Sequence, residues 1–182
     1  FPNRHYLNAE GRVDGLIRNA DVIIGLELTD FWGTVNGMVD NPEHPQSSRI
    51  KEGAKLISIT AADLYIRANY QDFQRFQQVD LAIAADAEAT LPTLIEAVKV
   101  AMTPTHKSAI EKRTEAFRKA KLEAMARARE EAAIAWDASP ISTARLCMEI
   151  YAQIKDLDWS LVGASGNTSN WANRLWNMDK HY

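Results

Sequence analysis

The side chains best placed to do chemistry are few. Asp30-Phe31-Trp32-Gly33 follow directly on an apolar run that ends at Leu28, and so stand at the carboxyl end of a predicted strand, where open α/β sheets present ligands. Asp30, Phe31 and Trp32 are therefore the candidate pocket residues. Large aromatics usually serve burial, and packing is the favoured reading of Phe31 and Trp32. An indole is neither acid nor base near neutral pH, so Trp32 could shape a pocket but not move a proton. The other candidates are weaker. His5, His44, His106 and His181 lie far apart without a close paired-ligand spacing, which favours surface or capping roles over metal binding. Ser165-Gly166-Asn167 and Ser169-Asn170 lack the G-x-S-x-G surround of a nucleophile loop and read as a polar turn. Gly11 and Gly15, and Gly33 and Gly37, are spaced by four, and no G-x-G-x-x-G occurs, so a dinucleotide fingerprint is missing. On these residues alone, none is assigned a catalytic, cofactor-binding or metal role.

The elements that must position Asp30 to Trp32 are legible in the pattern. Ala20 to Leu28 is β-branched, apolar and too short for a typical helix, which predicts a buried strand near 21–28. Val13, Leu16 and Ile17 are at helical spacing and predict a short helix before it. Asp30 to Ser48 contains Gly33, Gly37, Pro42 and Pro45 and reads as a long loop with one helical turn. Further strands are predicted at 55–60 and 80–84, each followed by a helix: the first carries Leu64 and Ala68 on one face, the second runs from Ala87 to Met102 with Leu91, Leu94, Ile95 and Val98 in a stripe. Strand, helix, strand, helix predicts an α/β, Rossmann-like parallel sheet with flanking helices over residues 1–103. Three strands are few for such a sheet, which predicts an incomplete domain.

From Pro104 the composition changes. Thr105 to Trp136 is built of Ala, Glu, Lys and Arg without Gly or Pro and predicts a long, mostly solvated helix joining two packed units, a helical linker over 104–138. Its basic and acidic residues are mixed, which argues against a nucleic-acid surface. Ser139 and Pro140 fit an N-cap and first helical position, Ile141 to Ile154 is amphipathic, and Trp159 to Val162 predicts a strand that opens a short α/β segment over 139–182.

Composition sets the outer bounds. With 46% hydrophobic and 25% charged residues and a net charge of −3, the chain has the makeup of a globular protein. Residues 1–100 carry 9 basic and 14 acidic side chains and residues 101–182 carry 12 and 10, a contrast too mild to suggest nucleic acid. The single Cys147 excludes an intrachain disulfide or a multi-cysteine zinc site and points to a reducing, cytoplasmic compartment. No apolar run approaches the ~20 residues of a membrane helix.

The order of segments resembles the central domain of thiamine-diphosphate-dependent enzymes, the group with acetolactate synthase and benzoylformate decarboxylase. The similar pieces are Phe1-Pro2-Asn3-Arg4-His5, Ala20 to Glu27, Asp30-Phe31-Trp32-Gly33-Thr34-Val35-Asn36, Val79 to Ile83 with Asp86 to Pro92, and Pro140-Ile141-Ser142. The resemblance covers nearly the whole chain and rests on the ordered combination rather than on any one piece. It implies a central domain followed by the opening of a diphosphate-binding domain, in a parent enzyme that uses thiamine diphosphate and Mg on a 2-oxo acid or related acyl donor. In some decarboxylases of the family a histidine near the position of Trp32 approaches the substrate; here Trp32 would instead shape an apolar acyl pocket. The family's Gly-Asp-Gly motif does not occur, and no catalytic residue of the family can be placed. The start at Phe1 and the loop-rich end lead us to expect a fragment, inactive alone, that associates with the remainder of its parent chain and forms a homo-oligomer, with no nucleic-acid or membrane partner. The rival expectations are a non-catalytic nucleotide- or CoA-binding Rossmann-like module and a structural interaction domain built on the long helix.

Overall fold

A computed structural model describes residues 2–9, 13–38, 46–62, 75–162 and 170–179. The chain divides into two compact units, one of Gly11–Thr103 and one of Phe1–Glu10 with Pro104–Tyr182.

In the first unit, helix α1 (Val13–Asn19) leads into strand β1 (Val22–Leu26). Helix α2 (Phe31–Val35) follows, then strands β2 (Asn36–Met38), β3 (Gln46–Ser48), β4 (Lys55–Ile59) and β5 (Leu81–Ile83), and helix α3 (Ala87–Ala101). β1, β4 and β5 form a three-stranded sheet in the order β1-β4-β5. Both pairings are parallel, with Ile24 beside Ile57 and Ile57 beside Leu81. Parallel pairing requires the chain to cross back over the sheet between strands, which is the arrangement that the three apolar runs predicted. Asp80 sets the entry of β5: its carboxylate accepts from Lys55 Nζ at 2.6 Å and from the Leu56 amide at 2.9 Å. The helix expected around Leu64 and Ala68 lies outside the described residues.

The sheet has two unequal faces, because alternate side chains of a strand point to opposite sides. Ile23, Gly25 and Leu56 belong to the side where Ile17, Phe31 and Val35 form the core, joined by Ile50 and Val79. A Cβ on Gly25 would lie 2.9 Å from Leu28 Cδ1 and 3.2 Å from Phe31 Cε1, so glycine there is what lets the Phe31 ring reach the strand. On the other side Val22, Ile24, Leu26 and Leu81 remain exposed.

The stretch read as a loop from Asp30 to Ser48 holds more structure than its glycines and prolines suggested. Its helical turn is α2, and β2 pairs antiparallel with β3, Asn36 beside Ser48. The ladder is continued by the Arg49 amide, which donates to the Val35 carbonyl at 3.0 Å. Gly and Ser are poor strand formers, so this pairing is imposed by tertiary context.

In the second unit, α4 (Pro104–Ala133) packs against α5 (Thr143–Ile154) and α6 (Trp171–Leu175). The contact is made through small residues: Ala132 and Ala144 meet Cys147 and Trp171, with Leu175 at the margin. The sequence division of 1–103, 104–138 and 139–182 thus differs from the observed units, because the amino-terminal residues join the helices. Asn3, 8% exposed, explains this. Its Nδ2 donates to the Asn173 and Trp176 carbonyls at 2.9 and 3.0 Å, and its Oδ1 accepts from the Met178 amide at 3.0 Å.

Two local expectations are corrected here. α5 starts at Thr143 with Ser142 as N-cap, whose Oγ accepts from the Arg145 amide at 3.2 Å, rather than at Pro140, whose peptide bond with Ser139 is cis. Trp159 to Val162 is not a strand, and the described part of 139–182 is helix and loop rather than an α/β segment. Trp159 instead packs edge-on against Trp176 at 5.4 Å, and Trp176 stacks on Tyr151 at 5.2 Å. The aromatic contacts take the place of a ladder, since among the described residues no strand lies in this unit to pair with it.

Candidate functional site

The carboxyl edge of the parallel sheet is where Asp30, Phe31 and Trp32 were expected to stand, and the side chain that organises that edge is Glu27. It follows the last residue of β1 with φ of 48°, a left-handed conformation that a residue with a side chain rarely adopts without several fixed contacts. The contacts are present. The Glu27 amide donates to the Ile59 carbonyl at 2.9 Å. One carboxylate oxygen accepts from the Ala87 amide at 2.9 Å and the other from Thr60 Oγ1 at 2.9 Å, with the Ala61 amide at 3.2 Å. One carboxylate thereby joins the ends of β1 and β4 to the first turn of α3.

The Ala87 amide, then the Thr60 hydroxyl, hold the Glu27 carboxyl below its ordinary pKa of 4.5. Donors to a carboxylate favour its charged form, and the positive end of a helix dipole acts in the same direction. A general base is most effective with a pKa near the working pH, so Glu27 is an anchoring anion rather than a proton acceptor. Asp86 adds a second carboxylate at the same helix start, its Oδ1 accepting from the Ala89 amide at 2.8 Å.

The three pocket candidates fall into distinct environments. Asp30 is the N-cap of α2: its Oδ1 accepts from the Gly33 amide at 2.8 Å, and its carbonyl accepts from Thr34 Oγ1 at 2.8 Å. The Phe31 ring is part of the core, 8% exposed. Trp32 is half-buried, with the Arg75 guanidinium 5.2 Å from its ring centroid. Asn36 fixes the backbone behind the indole, its Nδ2 donating to the Trp32 carbonyl at 3.0 Å and to Gln77 Oε1 at 2.9 Å. Of the three, Trp32 alone presents a partly open side chain with a cation beside it, an arrangement suited to an apolar or anionic group.

Two of the four histidines, His5 and His106, fall within the described residues. His5 stacks on Tyr6 at 4.4 Å and accepts from the Leu7 amide at its Nδ1, His106 lies on α4, and His44 and His181 lie outside the described residues, as do Ser165 to Ser169. No group of three or more His, Cys, Asp or Glu able to hold a metal occurs among the described residues. Sequence reasoning passed over Glu27 and Thr60. A usable signal existed: Glu27 is the single charged side chain between Val22 and Leu28, and a carboxylate at a strand end needs donors from the neighbouring crossover.

Comparison with protein-family models, with curated proteins and with solved structures gives no match to this chain.

Proposed function

We propose that this chain is part of an enzyme that uses thiamine diphosphate and Mg to act on a 2-oxo acid or related acyl donor, a lyase or transferase in which residues 1–103 correspond to part of the central domain. The observation that carries the reading is the ordered resemblance that runs from Phe1-Pro2-Asn3-Arg4-His5 to Pro140-Ile141-Ser142. The parallel order β1-β4-β5, with Trp32 just past the carboxyl end of β1, supports it. In this reading Trp32 gives the acyl group an apolar wall and Arg75 adds positive charge beside it. Glu27 is not a cofactor ligand in this reading, because both of its carboxylate oxygens already accept hydrogen bonds from the protein. Thiamine diphosphate supplies the carbon–carbon chemistry in such enzymes, and other parts of the parent protein would hold it, so the chain alone is inactive.

The rival nucleotide-binding module is disfavoured by the same carboxylates. A phosphate is bound by the free amides and positive dipole of a helix start. At α3 those amides already serve Glu27 and Asp86, whose charge would repel a phosphate. Association into a homo-oligomer is supported by the exposed row Val22, Ile24, Leu26 and Leu81, since contiguous apolar surface marks interaction sites. The buried free thiol of Cys147 suits a cytoplasmic setting, and no helix among the described residues is long and apolar enough to cross a membrane.

The reading is tested in the protein that carries this stretch together with its flanking sequence. Carbon dioxide release from pyruvate and benzoylformate should require both thiamine diphosphate and Mg, and Trp32→Ala should raise KM for the aromatic substrate more than it lowers kcat. Turnover indifferent to removal of both, or none on any 2-oxo acid, would sink the proposal.

A further inference from the structure

A cavity of about 280 Å³ in the helical unit is lined by Arg129, Ala132 and Ala133 of α4, by Trp136, by Met148 of α5 and by Leu175 of α6. α4 contributes the short side chains of Ala132 and Ala133 to its lining. The lining residues are apolar except for Arg129.

The charges around it are unevenly matched. Arg145, which lies over the Trp136 ring, is paired with Asp137 at 3.0 Å. Arg174 is paired with Glu131. Arg4 donates to the Arg174 and Leu175 carbonyls. The Arg129 side chain has no hydrogen bond, ion pair or ring contact among the described residues. It also lies near enough to Arg4 to lower that side chain's pKa, an effect second to burial. Asp137 and Glu131 are thus engaged by other arginines, whereas the exposed Arg129 side chain stands at the edge of the apolar hollow without an ion-pair partner among the described residues.

We propose that this cavity binds a small monocarboxylate with a compact apolar body, its carboxylate on the Arg129 guanidinium and its body against Trp136, Met148 and Leu175. Arg is suited to the task because its planar fork matches a carboxylate. Size limits the ligand: an apolar cavity of about 150 Å³ holds benzene, and drug-sized sites begin near 300 Å³. A ligand of roughly ten heavy atoms is the range that results. The site stands in the helical unit and does not depend on the thiamine-diphosphate reading.

The probe is phenylacetate, titrated into the full 182-residue chain, with binding read by calorimetry and by the Met148 methyl resonance. We expect saturable one-to-one binding that moves the Met148 methyl. Phenylacetamide has the same shape without the charge and should bind about tenfold more weakly or worse, as should phenylacetate to Arg129→Gln. Arg129 is exposed, so that variant should keep the wild-type circular dichroism. Ala133→Leu should fill the hollow and abolish binding; if it unfolds, the amide and Arg129→Gln still decide. No saturable response up to roughly 50 mM, or equal binding of acid and amide, or undiminished binding to Arg129→Gln, would overturn the proposal.

Discussion

The two units solve the same structural problem with side chains of opposite kinds. In the sheet unit a charged carboxylate, Glu27, ties together the ends of two strands and the start of a helix. In the helical unit a neutral amide, Asn3, ties the amino-terminal segment to the two carbonyls and one amide that close α6. The Glu27 side chain is exposed and Asn3 is buried. A charged clasp at the surface is sensitive to pH and to salt, whereas a buried neutral one is sensitive only to loss of its partners. The two units should therefore fail under different conditions.

The largest effect expected is on the helical side. Trp176 is 4% exposed, stacks on Tyr151 and donates from Nε1 to the Cys147 carbonyl at 3.0 Å. Trp176→Ala should cost about 3–5 kcal/mol, the range for deleting a buried aromatic. Asn3→Ala should cost less, about 1–3 kcal/mol, because it strands buried backbone groups without opening a large cavity. Urea melts followed by tryptophan fluorescence would measure both. If Asn3→Ala proved neutral, water would be replacing the amide, and the contrast between a buried and an exposed clasp would fail.

The sheet of the first unit was legible in the sequence because each strand is a short apolar run, bounded by turn residues or followed by a helix-forming stretch. What was not legible depends on side chains meeting across the fold. Gly25 reads as a mere interruption of β1 until Phe31 is seen packed over it. Asn3 belongs to a segment far in sequence from Asn173, and nothing local marks it as a clasp. Trp159 to Val162 has the composition of a strand, but a strand needs a ladder partner, and the rings of Tyr151 and Trp176 satisfy Trp159 instead. The position of Asp30 to Trp32 just past the end of β1 was legible, while the environment of each side chain was not. Asp30 is used as a cap and Phe31 as core, while Glu27 holds the edge together.

The smallest effect is the sharpest test, because it separates the units by pH. The Glu27 carboxyl is held below 4.5, first by the Ala87 amide and then by Thr60, and the Asp80 carboxyl is held below 3.8, first by Lys55 and then by the Leu56 amide. A depressed folded pKa gives stability that is fully present above the unfolded value and is lost as pH falls through the folded one. The sheet unit should thus weaken below about pH 4.5, and Glu27→Gln should flatten that decline. The Cys147 thiol runs the other way. Burial pushes its pKa above 9.0, so the unfolded state ionises first and the helical unit loses stability as pH rises past that value. Cys147→Ala should remove that alkaline slope and leave the acid limb untouched. Amide hydrogen exchange, corrected for its intrinsic pH dependence, would read the two units separately: protection of β4 amides should fall in acid and that of α5 amides in alkali. Parallel loss in both units at either extreme would mean that they unfold as one, and the distinction between the two clasps would then have no thermodynamic consequence.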